Sequence, residues 1–393
     1  MPVYRLRGVV QHYAWGGTEF LPNLLQQSNR EKQPWAEYWL GVHPKGPTQV
    51  LTGDGEVSLN SFLSGTPGLL SANDDISFDG LPFLLKILDV KQMLSIQLHP
   101  TIDKAKAGFA REEELGIPVL APNRNYRDQN HKPEMMVALT DFWLLHGFRS
   151  KQEIRESLQN VPGWEDLLPT LEEEGVRGLY QKVMEADQAA VNEWMAPLYQ
   201  HLSGLQATLS QDQTDYWAWQ AFQQYSRDGK HDRGIFSIYW FNLVNLEPGQ
   251  GIFQGAGIPH AYLRGVNVEL MANSDNVLRG GLTPKHIDVP ELLDNIIVDA
   301  VVPNIQEGVE VEKNCMDYPV PVPDFKLLKV ILNARESNEL SAKNASICLI
   351  MSGLLQVDGK TYVAGESFLL TAGQSVHLNN PSKEELVLFS ASF

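Results

Sequence analysis

The segment LSIQLHP, residues 94–100, predicts a buried β-strand with an unusual polar face. Its apolar residues, including Ile96 and Leu98, alternate with polar ones, and consecutive side chains of a strand point to opposite faces. Gln97 and His99 therefore share the second face. A solvent-facing strand would more naturally carry charged and hydroxyl residues there. The Gln-x-His pair indicates that this face looks onto something other than open solvent.

The composition is typical of a folded globular chain. The sequence has 393 residues, of which 43% are hydrophobic, and no low-complexity tract, so it can bury the cores of two or three domains. Its apolar runs are shorter than the ~18 residues needed to span a bilayer, and residues 1–17 lack the apolar core of a secretory signal. Two cysteines, Cys315 and Cys348, are too few for a disulfide framework or a cysteine metal site. We expect a soluble cytoplasmic protein.

The net charge of −17 is spread along the chain. Nucleic acids and anionic membranes bind basic surfaces, so neither is expected as a partner. An anionic small substrate would need local basic clusters that oppose the overall charge. Two segments supply them: residues 124–132 carry three cations against one acidic residue, and residues 260–285 carry three cations against two.

Differences in sequence texture divide the chain into three predicted domains. Short apolar runs punctuated by Gly, Pro and Asn predict strands and loops in most of it, whereas one central block has a helical period. The predicted domains are a first β domain (1–149 and 230–323), a helical insertion (150–229) and a C-terminal β domain (324–393). After Gly234 the β texture is expected to return.

The helical block begins with SKQE (150–153), the pattern of an N-terminal capping box. Six apolar residues further along are spaced to lie on one helical stripe: Val183, Met184, Val191, Trp194, Met195 and Leu198. An aromatic and methionine stripe of this kind predicts core packing rather than a ligand site.

Two similar segments indicate that the β domains are related. LEPGQGIF (246–253) and YVAGESFLL (362–370) each lead towards a histidine, His260 or His377, which suggests duplicated jelly rolls. The C-terminal unit has no Gln-x-His pair or glutamate partner near His377. It is therefore predicted to be degenerate, without a metal of its own, and to have a structural role.

Four side chains are candidate metal ligands. Gln97 and His99 share a strand face, Glu134 ends the polar segment YRDQNHKPE, and His260 follows a Gly-Pro turn. Two imidazoles, a carboxylate and a carboxamide oxygen suit Zn²⁺ and are acceptable to Mn²⁺ or Fe²⁺. Their spacing forms no short regular motif, so one shared metal site and four separate structural roles stay open as alternatives.

Several longer segments resemble the type I mannose-6-phosphate isomerases, also called phosphomannose isomerases. YRDQNHKPE (126–134) and HAYLRGVNVELMANSDNVLRGGLTPK (260–285) are similar to the two signature segments of that family. HYAWGG (12–17), WAEYWLGVHPKGP (35–47) and LPFLLKILDVKQMLSIQLHP (81–100) match in order. The resemblance covers most of residues 1–300. One departure is Gly280, where the family usually has Ala, and the missing methyl group is expected to loosen that loop slightly.

The resemblance implies a mainly β fold of cupin-type jelly-roll domains with an inserted α-helical domain, and a monomer. It implies an aldose–ketose isomerase that interconverts mannose 6-phosphate and fructose 6-phosphate through an enediolate, with one zinc per chain as Lewis acid. The implied zinc ligands are Gln97, His99, Glu134 and His260. The implied active-site residues are Lys132, Glu269 and Arg279.

Proton transfer between the two carbons needs a general acid–base. Lys132 and His131 are candidates because both closely precede Glu134 and Pro133 stiffens the link. The alternatives are a phosphate or surface contact for Lys132 and a structural hydrogen bond for His131. Glu269 is a candidate second proton shuttle or hydroxyl binder, with a plain ion pair as the alternative.

Three further residues are candidates for substrate binding. Arg279 is expected to bind the anionic substrate, because a guanidinium contacts phosphate or an enediolate bidentately. Lys285 is a second candidate for the phosphate, or else a solvated side chain. Trp15 offers an aromatic face to the sugar, or else packs in the core.

Two rival functions use the same type of barrel. An iron-dependent cupin oxygenase would favour two histidines and one carboxylate with open positions, but Gln97 adds a ligand and the basic segments would have no purpose for a neutral substrate. A non-catalytic sugar-phosphate-binding cupin is not excluded by physics, although Lys132 and the complete ligand set argue against it.

Overall fold

The computed structural model describes residues 3–66, 68–71 and 80–393. The strands are β1 (Val3–Arg7), β2 (Val9–Gln11), β3 (Glu37–Gly41), β4 (Gln49–Thr52), β5 (Gly55–Ser58), β6 (Phe83–Val90), β7 (Ile96–Leu98), β8 (Glu134–Ala138), β9 (Phe142–Phe148), β10 (Phe241–Leu246), β11 (Gly251–Gln254), β12 (His260–Ala272), β13 (Leu278–Gly281), β14 (Val309–Glu312), β15 (Cys315–Tyr318), β16 (Lys326–Leu332), β17 (Ser337–Ala342), β18 (Ser346–Ser352), β19 (Leu354–Val357), β20 (Lys360–Val363), β21 (Ser367–Leu370), β22 (Gln374–Asn379) and β23 (Leu386–Ser392). The helices are α1 (Phe20–Leu24), α2 (Leu59–Ser64), α3 (Ile102–Glu114), α4 (Lys151–Asn160), α5 (Leu168–Glu185), α6 (Gln188–Leu205), α7 (Thr214–Tyr225), α8 (Gly234–Trp240) and α9 (Val289–Asn295), with a 3₁₀ turn at Glu165–Leu167. None of these helices is long and apolar enough to cross a membrane.

The strands of the described chain form three antiparallel sheets. The first has nine strands in the order β14-β15-β16-β23-β18-β21-β1-β4-β5, and a smaller one has the order β17-β22-β19-β20. The third has ten strands, six of them along the path β10-β9-β12-β6-β3-β2. Of the other four, β7 and β8 pair with β12, β13 pairs with β7, and β11 pairs with β8. Antiparallel sheets with a helical block between their strands confirm the predicted mainly β class.

The long strand β12 organises the ten-stranded sheet. It pairs with β6, β7, β8 and β9, with a register shift between Tyr262 and Arg264. This register places His260 opposite Gln97 of β7 and Met271 opposite Glu134 of β8. Segments that are far apart in sequence are thereby brought to one barrel wall.

The strand predicted over residues 94–100 is shorter than expected, since only residues 96–98 are regular. Its apolar face is nevertheless buried as predicted. Ile96 and Leu98 belong to the same hydrophobic cluster as the inner faces of helices α4 to α8. The helical insertion therefore covers the outside of the strand, and its polar residues lie on the other side.

The capping box at the start of the helical block is confirmed, because both reciprocal hydrogen bonds between Ser150 and Glu153 are present at the N-terminus of α4. The proposed single stripe is divided between two helices. The first part lies on α5, which ends at Glu185, and the second part lies on α6. Asp187 caps the N-terminus of α6 by accepting the N–H of Ala190. Core packing is confirmed for the stripe residues of both helices, although Trp194 is only partly buried.

β structure was expected to resume directly after Gly234, and this expectation was wrong. Residues 234–240 form the short helix α8, and the next strand, β10, begins after it. The β-branched and aromatic residues of GIFSIYW favour a strand by local preference, but such preference yields to tertiary context. All seven residues of α8 are buried, so burial on every side decides their conformation.

The two ends of the chain share one sheet. β1 pairs with β21, placing Val3 opposite Leu370, and β4 continues the same sheet on the other side of β1. The predicted domain boundary at 323/324 therefore does not divide the nine-stranded sheet, which contains strands from both sides of that boundary.

Candidate metal centre and active site

Three buried side chains converge at the inner end of a cavity. The ligand atoms of His99, Glu134 and His260 all lie within 4.8 Å of one another. Nε2 of His99 is 3.3 Å from Oε1 of Glu134, and Nε2 of His260 is 3.4 Å from Oε2. None of the three residues is more than 1% exposed.

The local backbone explains why these side chains meet. His99 directly follows β7, whereas Glu134 and His260 are the first residues of β8 and β12. The predicted tight turn before His260 is present: Gly257 has φ +76° and donates its N–H to the carbonyl of His99 at 2.8 Å. A Cβ at this glycine would lie 2.9 Å from a backbone oxygen of Asn295, so the turn requires glycine.

Each histidine is oriented by a backbone carbonyl. Nδ1 of His99 is 2.8 Å from the carbonyl of Asn276, and Nδ1 of His260 is 3.0 Å from that of Ile258. A carbonyl only accepts, so each Nδ1 donates and each Nε2 keeps its lone pair when the ring is neutral. Burial, reinforced by the charge of Lys132, lowers the pKa of His99 to about 4. The ring is therefore neutral at physiological pH.

The donor set fits a tetrahedral divalent ion. In the part of the chain that the structure describes, Nε2 of His99, Nε2 of His260 and Oε2 of Glu134 are buried without a hydrogen-bond partner, which is costly for polar atoms unless something else binds them. Ligand atoms of a zinc ion at about 2.1 Å lie about 3.4 Å apart, and each imidazole lies near that distance from one oxygen of Glu134: His99 from Oε1 and His260 from Oε2. Burial alone would raise the pKa of Glu134, but the charge of Lys132 holds it well below its usual range.

The cavity in front of this cluster has a volume of about 300 Å³. Seven residues singled out from the sequence line it: Trp15, Gln97, Lys132, Glu134, Glu269, Arg279 and Lys285. Gln97 lies on β7 between His260 of β12 and Arg279 of β13. The polar face of LSIQLHP thus borders a cavity.

Two of the acid–base candidates line this cavity and the third does not. Nζ of Lys132 is 2.9 Å from Oε1 of Glu134. Glu269 is 3.2 Å from Nζ of Lys86 through one oxygen and accepts the hydroxyl of Tyr262 through the other, at 3.0 Å. His131 instead contacts both carboxylate oxygens of Asp324 at 3.0 Å. This contact with the C-terminal part of the chain agrees with the structural alternative for His131, whose acid–base role stays a prediction.

Sequence reasoning missed Lys86, which is buried in the cavity wall. Its Nζ lies between Glu269 and Glu37, with Glu37 at 3.6 Å, and Glu37 also accepts the indole N–H of Trp39 at 2.5 Å. Burial alone would lower the pKa of Lys86, but the two carboxylates raise it above its ordinary value. The available signal was one lysine inside the apolar run LPFLLKILDV.

The mouth of the cavity is basic. Lys45, Arg127, Arg279 and Lys285 line it, together with Asp275, which is 2.7 Å from Nζ of Lys45. Burial and the charge of Arg127 lower the pKa of Arg279, and burial with the charges of Arg279, Arg127 and Lys45 lowers that of Lys285. Cations close enough to perturb one another indicate a site for an anion. Lys45 was not assigned from the sequence because it lies outside both basic segments.

The departure at Gly280 has a local explanation. A Cβ at this position would lie 2.9 Å from the hydroxyl oxygen of Tyr180 and 3.0 Å from Cγ2 of Ile96. The space that a methyl group would take is occupied by the tyrosine from α5, so the loop is packed at this point.

Comparisons with known proteins agree with this geometry. A family model described as the catalytic domain of phosphomannose isomerase type I matches residues 3–151. The mannose-6-phosphate isomerase of Escherichia coli is 36% identical over 382 residues, covering 95% of this chain and 94% of its own, and the human enzyme is 32% identical with 99% and 98% covered.

Solved structures match over the full length. The mannose 6-phosphate isomerase of Salmonella typhimurium, solved with fructose 6-phosphate and zinc, is 32% identical, with a TM-score of 0.87 and 100% of both chains covered. This match confirms the predicted cupin-type fold with its helical insertion. With the site geometry and the full-length relatives in agreement, the chain belongs to the family of type I mannose-6-phosphate isomerases.

Proposed function

We propose that this protein interconverts mannose 6-phosphate and fructose 6-phosphate, with one zinc ion held by His99, Glu134 and His260 and with Gln97 as a further ligand. The observation that carries the proposal is the set of three buried, unpartnered ligand atoms at the end of a cavity with a basic mouth. When bound there, zinc supplies a Lewis acid that polarises sugar oxygens and stabilises developing negative charge.

The basic mouth binds the anionic part of the substrate. Arg127, Arg279 and Lys285 line it, and Lys45 adds a cation that is paired with Asp275. In a protein of net charge −17, such a local cluster draws a phosphate to one place on the surface. Arg279 is suited to a bidentate contact with the phosphate or the enediolate, and Lys285 adds a second cation.

Proton transfer between the two sugar carbons falls to residues on the cavity wall. Lys132 is a cation beside Glu134. Burial and the charge of Glu134 raise the pKa of Glu269 above its ordinary value, and perturbed carboxyls that line a cavity are candidates for proton transfer. We assign Lys132 and Glu269 to this step, with Lys86 and Tyr262 orienting the carboxyl of Glu269. His131 is assigned a structural part through Asp324.

Trp15 forms a side of the same cavity, where it stacks on Tyr13 with ring centroids 5.9 Å apart. An aromatic face suits the C–H side of a sugar ring. We assign Trp15 to this contact. Its replacement by Ala should weaken binding of the sugar phosphate more than it slows turnover.

A coupled assay tests the proposal against its two rivals. Purified protein with one zinc per chain should convert mannose 6-phosphate to fructose 6-phosphate under strictly anaerobic conditions, and a chelator should abolish the activity reversibly. Turnover without oxygen would exclude the oxygenase. Binding of the sugar phosphate without exchange of the C2 hydrogen would indicate a binding protein and refute the isomerase.

We also propose that the protein acts as a cytoplasmic monomer. Both cysteines are buried and unpaired in the described chain, as suits a reducing compartment. Sedimentation of the purified protein should give a single species of about 44 kDa, and a concentration-dependent mass would contradict the monomer.

A further inference from the structure

Asp232 joins the helical insertion, whose helices α4 to α8 extend past the predicted end at residue 229, to the loop that follows β13. It lies between α7 and α8, and Oδ1 accepts the backbone N–H of Gly234 at 2.7 Å and that of Leu282 at 2.8 Å. Oδ2 accepts the N–H of Thr283 at 3.1 Å. One carboxylate thus satisfies three backbone donors, two of them in the loop.

The two backbones approach closely at this joint. A Cβ at Gly281 would lie 2.4 Å from Cα of Gly234, and a Cβ at Gly234 would lie 2.5 Å from the nitrogen of Leu282. Leu282 has φ +51°, a conformation that L-residues rarely adopt and that persists only where the surroundings hold it. The hydrogen bonds that the backbone N–H groups of Leu282 and Thr283 donate to Asp232 hold it.

The segment held in this way carries two of the cations of the cavity mouth, Arg279 on β13 and Lys285 in the loop that follows it. Arg279 lies two residues before Gly281, and Lys285 lies two residues after Thr283. The hydroxyl of Thr283 also accepts the N–H of Lys285 at 3.1 Å. Asp232 lines a different cavity, formed with Arg227, Lys230 and Arg233 among others. It therefore acts on Arg279 and Lys285 through the backbone and not by touching a ligand in the active-site cavity.

We propose that Asp232 is a positioning residue, which makes the helical insertion part of the apparatus that binds the anionic group of the substrate. This inference rests on the proposed function, because it takes the basic mouth of the cavity to be the phosphate site. It gives the insertion a part in substrate affinity in addition to covering the barrel.

Two substitutions grade the effect. Asp232→Asn keeps the oxygen that accepts from Gly234 and Leu282 but sets an amide donor against the N–H of Thr283, whereas Asp232→Ala removes all three bonds. Because misplacement of a binding group by about 1 Å can cost up to ~10²-fold, we expect KM for mannose 6-phosphate to rise about threefold for Asn and about tenfold or more for Ala. The value of kcat should change less, and zinc content should stay at one per chain.

A mutant cycle separates positioning from general destabilisation. In a Lys285→Ala background, Asp232→Asn should raise KM less than in the wild type, since residues that act as a unit are not additive. Asp187→Ala is the matched control: it removes another carboxylate of the insertion that accepts a backbone N–H, from Ala190 at 2.9 Å. It should leave KM unchanged even if it lowers the melting temperature.

Hydrogen exchange provides a readout that does not depend on activity. The amides of residues 279–285 should exchange faster in Asp232→Asn than in the wild type. If the wild type isomerises the sugar phosphate and Asp232→Asn retains both its KM and its exchange rates, the inference fails while the proposed function stands. A wild type without isomerase activity refutes the proposed function, and exchange then reports on the joint alone. Should Asp232→Ala not fold, Asp232→Asn still decides.

Discussion

Nε2 of His99 lies 3.3 Å from Oε1 of Glu134, and both side chains are buried. They are 35 positions apart in the sequence, yet the sheet brings them to contact distance. In the described part of the chain Nε2 of His99 has no hydrogen-bond partner, so its lone pair and the neighbouring carboxylate are arranged to bind a cation.

Replacement of His99 by Ala should remove zinc from the protein. A ligand contributes more than a supporting hydrogen bond, whose loss typically costs about 10–100-fold in metal affinity, so we expect a weakening of zinc binding greater than that and loss of isomerase activity. Metal analysis after dialysis against a weak chelator measures the change.

The matched control for that experiment is His131→Ala. Its ring contacts Asp324 and not the cluster, so zinc content should remain at one per chain, with activity within about threefold of wild type, and stability should fall by about 1 kcal/mol. Unchanged zinc in His99→Ala would remove that residue from the ligand set. Loss of zinc in His131→Ala would show that its structural assignment is wrong.

Replacement of Lys86 by Met should destabilise the fold. It leaves Glu37 and Glu269 buried without their shared cation, and breaking a buried ion pair by removing one partner costs about 3–5 kcal/mol. Urea unfolding of the zinc-loaded protein measures the loss. The double variant Lys86→Met/Glu269→Gln should recover part of the stability but not the activity. If Lys86→Met and the wild type had the same free energy of unfolding, Lys86 would not stabilise the buried carboxylates of Glu37 and Glu269.

Because Gly280 lies against Tyr180, we predict that a substitution at Tyr180 partly compensates for the loss of stability caused by a substitution at Gly280. Gly280→Ala should destabilise by about 1–3 kcal/mol, as is usual for overpacking, because its methyl group would lie 2.9 Å from the tyrosine hydroxyl. Tyr180→Phe in the same chain should restore part of that loss, the rest being the contact with Ile96. A double-mutant cycle on the free energy of unfolding tests this. If the effects of the two substitutions are additive, the tyrosine hydroxyl is not the group that excludes a methyl group at position 280.

Asp89 predicts a specific pH dependence of stability. Burial raises the pKa of its carboxyl to about 6, against the opposing effects of Lys91 and the amide of Phe20. Because the folded pKa lies above the unfolded value, Asp89 contributes stability that is complete below about pH 4 and is lost as the pH rises through about 6. Asp89→Asn should therefore match wild type near pH 4.

At pH 7 the Asp89→Asn variant should be more stable than wild type by about 1–3 kcal/mol, a range reduced for partial solvent screening. Urea unfolding of both proteins between pH 4.5 and 7.5 gives the difference directly. A difference that does not vary with pH would mean that the carboxyl titrates at its ordinary value.

Local patterns in the sequence predicted the elements whose signal lies in neighbouring residues. The capping box at Ser150 and Glu153 was found because its two hydrogen bonds join residues three apart. The buried and polar faces of residues 96–99 were found because alternation alone assigns them. The helix at Gly234–Trp240 was missed because its residues prefer strands and only the surrounding core makes them helical.

The ligand set shows the same limit more sharply. Residue types and strand alternation made Gln97, His99, Glu134 and His260 candidates, and resemblance to a family joined them; the convergence of the last three is confirmed, and the role of Gln97 stays a prediction. Lys86 and Lys45 could not be assigned from the sequence, because their roles depend on contacts with residues that are distant in the chain.

The amino-acid sequence by itself determined the class of fold, the order of its β and helical parts, and the chemical types available for a site, because these follow from local periodicity and composition. Only the tertiary structure decided which of those groups meet. The pairing of β12 with β7 and β8 sets that outcome, because antiparallel register brings together side chains that are more than a hundred residues apart along the chain. The same packing turned His131 towards Asp324 and away from the cavity.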